Sequence, residues 1–258
     1  MNDFQDEINK RLSSNRKNKA LQEAKEIFLK ESILPKYSYN FSWLGIPIIQ
    51  YPQDMIAIQE IIWDKRPDLI IETGVARGGS IIMNASLLIL IETLSKLKKN
   101  NNDFTGSFKS KVIGIDVDIR KENKLNINNH PASKIIELIE GSSTDKNVVG
   151  QVKSIAKKYN NIMVILDSNH EHNHVLEELN LYSELVSIGQ YCIVFDTVIE
   201  NLPNDFFPDR SWSVGNNPKT AIDEFLIKNN NFEVDKRFDD KLLISAAPDG
   251  YLKKIKLT

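Results

Sequence analysis

From Asp54 onward the chain alternates short apolar runs with longer stretches whose apolar residues recur at helical spacing. Few folds accommodate that alternation. A helix placed between successive strands forces a crossover, and crossovers lay strands side by side in parallel with helices over both faces. The pattern predicts strands at 69–73, 112–116, 135–139, 162–167 and 191–196, with helices at 54–65, 79–98, 145–158, 173–187 and 217–229. A closing pair at 232–238 and 241–246, linked tightly through Asp239-Asp240, predicts a terminal antiparallel hairpin. The expectation is an α/β fold with a seven-stranded, mostly parallel sheet.

A length of 258 residues suits one such domain plus a modest extension. The domain is expected at 53–258. Residues 1–52 are expected to form an N-terminal helical extension and an irregular segment: 3–32 carry Ile8, Leu12, Leu21, Ala24, Ile27 and Phe28 at helical spacing, and 34–52 are rich in aromatics and proline. The polar stretch 99–110 reads as a surface insertion. With 33 basic and 35 acidic residues the net charge is −2, so no global field gathers nucleic acid or anionic membrane, and a small-molecule or glycan partner is expected instead. The single cysteine, Cys192, lies in an apolar strand and excludes a disulfide framework. A polar start and no apolar run of about 20 residues predict a cytoplasmic protein.

Strand 69–73 runs into Glu72-Thr73-Gly74-Val75-Ala76-Arg77-Gly78-Gly79-Ser80 and then a long apolar helix. Glycines allow close backbone approach to a ligand, and a helix start offers free amides. The spacing is not G-x-G-x-x-G, which disfavours a dinucleotide. In Rossmann-like methyltransferases the acid at this strand end holds the cofactor's methionine amino group, and an acid ending the next strand holds its ribose. Glu72 and Asp116 occupy those positions, with Thr73, Gly74, Arg77, Gly79 and Ser80 on the loop. Gly141 and Ser142, after the third strand, fall where adenine-binding loops lie, although Ser143, Thr144 or Asp145 would equally cap the following helix.

The fourth strand ends in Asp167-Ser168-Asn169-His170-Glu171-His172-Asn173-His174, which holds three of the four histidines, and the fifth ends in Phe195-Asp196-Thr197. Ligands bind at the carboxyl ends of strands in open α/β sheets. Asp167 and Asp196 therefore read as oxygen ligands for Mg²⁺, and Asp167 also faces the cofactor. His170 is the candidate general base, its ordinary pKa lying near working pH. A second reading makes these histidines iron or zinc ligands.

Together Glu72-Thr73-Gly74 with Gly78-Gly79-Ser80, Asp116, Asp167-Ser168-Asn169-His170, His174-Val175-Leu176 and Asp196-Thr197 resemble the cephalosporin hydroxylase (CmcI-like) family, which includes rhamnosyl and macrolide-sugar O-methyltransferases. The resemblance covers residues 40–246. It implies a class I methyltransferase that uses S-adenosylmethionine (SAM) and Mg²⁺, with Asp167 and Asp196 as metal ligands, His170 as base, and a homo-oligomer built partly through N-terminal segments. The family shows Glu-Asp after the fifth strand. Here the first member is Phe195, so one expected ligand is missing. Residues 199–217, with Phe206, Phe207 and Trp212, resemble the family's acceptor-facing lid. Two other readings remain at this point, an NAD-type oxidoreductase and a non-catalytic cofactor-binding protein.

Overall fold

In the computed structural model, which describes residues 2–98 and 107–256, helices α1 (Asn2–Lys17) and α2 (Lys19–Ile33) precede a hairpin of β1 (Phe41–Trp43) and β2 (Ile46–Ile48). Asn18 breaks the helical run and caps α2, its side chain accepting the Leu21 amide at 3.1 Å. The hairpin corrects the expectation that 34–52 is irregular throughout. Leu44 and Gly45 turn it at φ 46° and 87°, both positive, as two-residue hairpin turns require.

The main sheet contains β3 (Leu69–Thr73), β4 (Lys111–Asp116), β5 (Ile136–Glu140), β6 (Ile162–Leu166), β7 (Tyr191–Val194), β8 (Phe232–Val234) and β9 (Tyr251–Lys254). Their order is β5-β4-β3-β6-β7-β9-β8. Neighbours are parallel except β9, which is antiparallel to both β7 and β8. Among the described residues α3 (Pro52–Lys65) leads into the sheet and six α-helices join its strands: α4 (Gly79–Lys98), α5 (Lys121–Asn129), α6 (Lys146–Ala156), α7 (His172–Tyr182), α8 (Pro218–Lys228) and α9 (Arg237–Leu242).

Strand periodicity divides the core. Ile70, Met163, Ile165 and Ile193 pack under α3 and α4, while the alternate residues Ile71, Val164, Leu166 and Val194 pack under α6, α7 and α8. With both faces covered, β3 and β6 are buried at every position, which is why β6 reads as an unbroken apolar run and β3 as one up to Glu72 at its carboxyl end. Helix α4 is apolar and long enough, by length and composition, to cross a membrane; here Ile81, Ile82, Met83, Ala85 and Leu88 are buried against the sheet.

The terminal antiparallel pairing is present, but its second strand is Tyr251–Lys254 rather than 241–246. Phe238 and Leu242, four residues apart, turn one face of α9 inward, a helical spacing in a segment expected to be strand. The true strand carries two lysines. It enters the sheet because the Lys254 ammonium donates to the carbonyls of Ser183 and Glu184 at 3.2 and 3.3 Å. Helix α5 was not expected at all. Of the 99–110 insertion, residues 99–106 lie outside the described residues; Lys109 and Ser110 are held by their amides donating to Glu92.

Candidate active site

The sheet register aligns its strand ends into one rim. Thr73 pairs with Ile115 on one side and Leu166 on the other, and Leu166 pairs with Val194. The residues that follow, Gly74, Asp116, Asp167 and Phe195-Asp196, therefore emerge together beside β3 and β6, where strand order reverses and a crevice opens. That is where the sequence expected cofactor and chemistry.

Gly74 sits at φ +90°, and a Cβ added there would lie 2.0 Å from the Asp167 carbonyl oxygen. Only glycine fits, because the loops leaving β3 and β6 touch at this point. Asp116 receives the Val75 and Ala76 amides on Oδ2 at 2.8 and 3.1 Å and the Asp118 amide on Oδ1 at 3.1 Å. It thus shapes the loop 74–80, whose amides it holds from the end of β4, where the sequence predicts a ribose-binding acid. Glu72 is 1% exposed; Ser80 Oγ donates to its Oε1, and Asn84 Nδ2 donates to its Oε2 at 2.7 Å. Burial raises its pKa to about 7 against those two hydrogen bonds. Both oxygens are engaged, so Glu72 ties β3 to α4 from behind the loop.

A narrow cleft is lined by Gly74, Arg77, Gly79 and Ser80 together with Asp167 and, from the N-terminal segment, Pro47, Ile49 and Gln50. Gly79 serves packing there: its Cβ would meet Pro47 O at 2.4 Å and Ile48 Cα at 2.6 Å, so the start of α4 lies directly on β2. Gly141 and Ser142 lie at the end of β5 and line neither this cleft nor the larger cavity described below. Ser142 bonds Thr144 at 3.1 Å, and Asp145 caps α6.

Asp167, His170 and Asp196 each bring a ligand atom within 4.8 Å of the others. His170 Nε2 lies 2.8 Å from Asp196 Oδ2. Asp196 turns the chain at φ 58°, a left-handed position that aspartate tolerates better than most residues. Burial, reinforced by the charges of Asp196, Glu72 and Glu178, pushes Asp167 well above the usual carboxylate range. Burial also opposes the charged forms of Asp196 and His170, but their mutual attraction prevails, lowering Asp196 and raising His170.

The two carboxylates cannot both ionise cheaply without a cation between them. That preference, with two oxygen donors, fits a divalent ion such as Mg²⁺. Phe195, 3% exposed in the core, supplies no donor. Asn169 Oδ1 is committed to the Glu171 amide at 2.8 Å. The other two clustered histidines serve elsewhere: His172 bridges α7 to Thr220 and Glu224 at 2.8 and 3.1 Å, and His174 contacts Ser143 and Ser168 at 3.1 and 3.3 Å.

A second cavity of about 750 Å³ opens onto the same acids, lined by Asp167, His170, Asp196, Phe207, Arg210 and Trp212, and it shares Ile49, Gln50, Ala76 and Asp167 with the cleft. Its volume is in the range of ligand sites. The lid aromatics face it: Trp212 lies 5.0 Å from the His170 ring and 4.5 Å from Phe207, centroid to centroid. Glu200 anchors the lid base, accepting the Gly215 amide at 2.9 Å and Asn217 Nδ2 at 2.5 Å. Among buried polar atoms without a partner are both amide atoms of Gln50, Thr73 Oγ1 and His170 Nδ1; Gln50 borders both the cleft and the cavity and His170 borders the cavity, as a site for a polar cofactor requires, while Thr73 lies behind them, lining neither. Sequence reasoning missed Gln50. A neutral polar residue between two apolar neighbours and a proline carries no pattern to find it by.

A family model described as Rhamnosyl O-methyltransferase/CmcI matches residues 35–255. A rhamnosyl O-methyltransferase of Mycobacterium bovis is 31% identical over 216 residues, covering 82% of this chain and 77% of the relative. One from Mycobacterium leprae is 28% identical over 165 residues, covering 63% and 62%. Among solved structures, CmcI with Mg and SAM matches with a TM-score of 0.55 at 19% identity, covering 84% of this chain and 78% of that one, a likeness of fold. The chain belongs to the Rhamnosyl O-methyltransferase/CmcI family and is a SAM-dependent O-methyltransferase.

Proposed function

We propose that this enzyme methylates a hydroxyl of a sugar or glycosylated metabolite, with Asp167 and Asp196 holding Mg²⁺ and His170 taking the hydroxyl proton. The observation that carries the reading is the meeting of Asp167, His170 and Asp196 within 4.8 Å on the wall of the large cavity, with Asp167 also lining the cleft. Relatives named rhamnosyl O-methyltransferases support a sugar acceptor.

When bound, Mg²⁺ would hold acceptor oxygens and lower the pKa of the attacking hydroxyl, and the SAM sulfonium would supply the methyl group. The chain's own residues do the rest. The loop 74–80 fixes the cofactor and the 750 Å³ cavity orients the acceptor, so much of the barrier is met by positioning. With Nε2–H of His170 donating to Asp196, the unpartnered Nδ1 receives the proton. The oxygen so freed would be the nucleophile for the methyl group that bound SAM would supply, with S-adenosylhomocysteine as the departing product. Phe207 and Trp212 keep water from the transfer path.

Neither the NAD-dependent nor the non-catalytic alternative has an observation in its favour. Exposed Phe4, Ile27, Phe28 and Leu34 on and after α1 and α2 support the expected homo-oligomer, which light scattering measures. The function itself is tested by calorimetry with SAM and by methyl transfer to rhamnosides and other glycosides, with Mg²⁺ and with chelator. Binding followed by metal-dependent transfer to a sugar is the expected result. No SAM binding sinks the reading, and full activity in chelator removes the metal from it.

A further inference from the structure

Gln50 stands where the two cavities meet, carried there by the N-terminal hairpin. The hairpin is fastened to the cofactor helix twice. Gly79 leaves no space for a side chain against β2, with Pro47 O 2.4 Å from its absent Cβ, and Trp43 Nε1 donates to Ser86 Oγ at 2.9 Å. Two residues beyond β2, Gln50 is 4% exposed, and neither Nε2 nor Oε1 has a hydrogen-bond partner. A buried carboxamide left without partners destabilises a fold. An apolar side chain of the same shape would avoid that loss, so the amide serves something the protein does not itself contain.

The cleft beside it narrows the choice. It is bounded by the loop 74–80 at the start of α4, where free amides favour a carboxylate. Glu72, the acid expected to hold the cofactor's ammonium, has both oxygens committed to Ser80 and Asn84. Asp116 Oδ2 is committed to loop amides, and Asp167 is assigned to the metal. Gln50 is left with a free donor and a free acceptor side by side, the complement of an α-carboxylate next to an α-ammonium.

We infer that Gln50 binds the amino-acid end of SAM, Nε2 donating to the α-carboxylate and Oε1 accepting from the α-ammonium, so that the N-terminal segment completes the cofactor site. The inference rests on the cofactor named above. It makes residues 41–50 part of the cofactor pocket rather than an appendage to the catalytic domain.

The test is Gln50→Met, which keeps length and removes both polar atoms, with three readouts on the intact protein: calorimetric affinity for S-adenosylhomocysteine, affinity for 5′-methylthioadenosine, which lacks the amino-acid end, and melting temperature without ligand. The expected result is S-adenosylhomocysteine affinity lower by about tenfold or more, methylthioadenosine affinity unchanged, and a melting temperature equal to or above wild type. Unchanged S-adenosylhomocysteine affinity overturns the inference. So does a parallel loss of both affinities or a lowered melting temperature, since either makes Gln50 structural. If the wild-type protein binds neither nucleoside, the cofactor reading itself has failed, a result distinct from either of those.

Discussion

Gly74→Ala isolates how closely the loop 74–80 and the proposed metal ligand Asp167 are built together. The new Cβ would stand 2.0 Å from the Asp167 carbonyl oxygen and 2.5 Å from its carbon. Restoring ordinary separation demands that the backbone carrying Asp167 retreat by about 1 Å, and misplacement on that scale costs about 100-fold in rate even with every side chain intact. The substitution also puts alanine at φ +90°, adding roughly 1–3 kcal/mol of strain. In a chain of this size that amounts to a melting temperature lower by roughly 3–10 °C. Steady-state methyl transfer and scanning calorimetry on the same preparation measure both. A variant with kcat/KM within about threefold of wild type, and melting within a degree of it, would show that the β3 and β6 loops yield independently, and the positional argument would fall.

His170→Ala is expected to lower kcat by about 10²–10⁴-fold while leaving SAM affinity nearly unchanged; equal losses in both would make His170 structural. Asp196→Asn should weaken Mg²⁺ activation, read as a rise of about tenfold or more in the metal concentration for half-maximal rate; an unchanged metal titration argues against the ligand assignment. Trp212→Ala should raise acceptor KM more than it lowers SAM affinity, since Trp212 lines only the larger cavity; the reverse order would place the lid on the cofactor. Burial raises the Asp54 pKa from 3.8 to about 6 despite hydrogen bonds from Ser245, Ala246 and Tyr251. The folded state therefore holds this proton more tightly than the unfolded chain, and stability falls as pH rises from about 4 through 6, by roughly 3 kcal/mol from this group. Asp54→Asn should flatten that slope in urea titrations taken at pH 4 and pH 7, and an unaltered slope would contradict it.

The sequence makes legible whatever a period or a strand end encodes. Strand 69–73 and helix 79–98 match the structure residue for residue, because a short apolar run ahead of a glycine loop and a long apolar stretch after it leave little choice on a doubly covered sheet. Asp116, Asp167 and Asp196 were readable for the same reason, each standing at the carboxyl end of a strand. Helix α5 was not, since Asn123 and Ile127 are the residues it buries and so short a stripe has no visible period. The apolar Leu242-Leu243-Ile244 suggested a strand that packing overrides, while Tyr251–Lys254 disguised one behind two lysines. Glu72 was placed correctly at its strand end, yet its hydrogen bonds come from helix residues eight and twelve positions onward. Partnership of that kind, like the free amide of Gln50, exists only after folding.

The slot between β7 and β8 is filled by the strand that comes later than either in the chain. Until residues 251–254 have been synthesised, β8 has no neighbour to pair with, and Tyr251 cannot give its hydroxyl to Asp54 Oδ1, which it reaches at 2.8 Å. The half of the sheet containing β3 to β6 can form earlier, from contacts already available. During synthesis the catalytic rim is therefore framed before the far edge closes, and pulsed hydrogen exchange on refolding protein should find β3 and β6 protected ahead of β8 and β9.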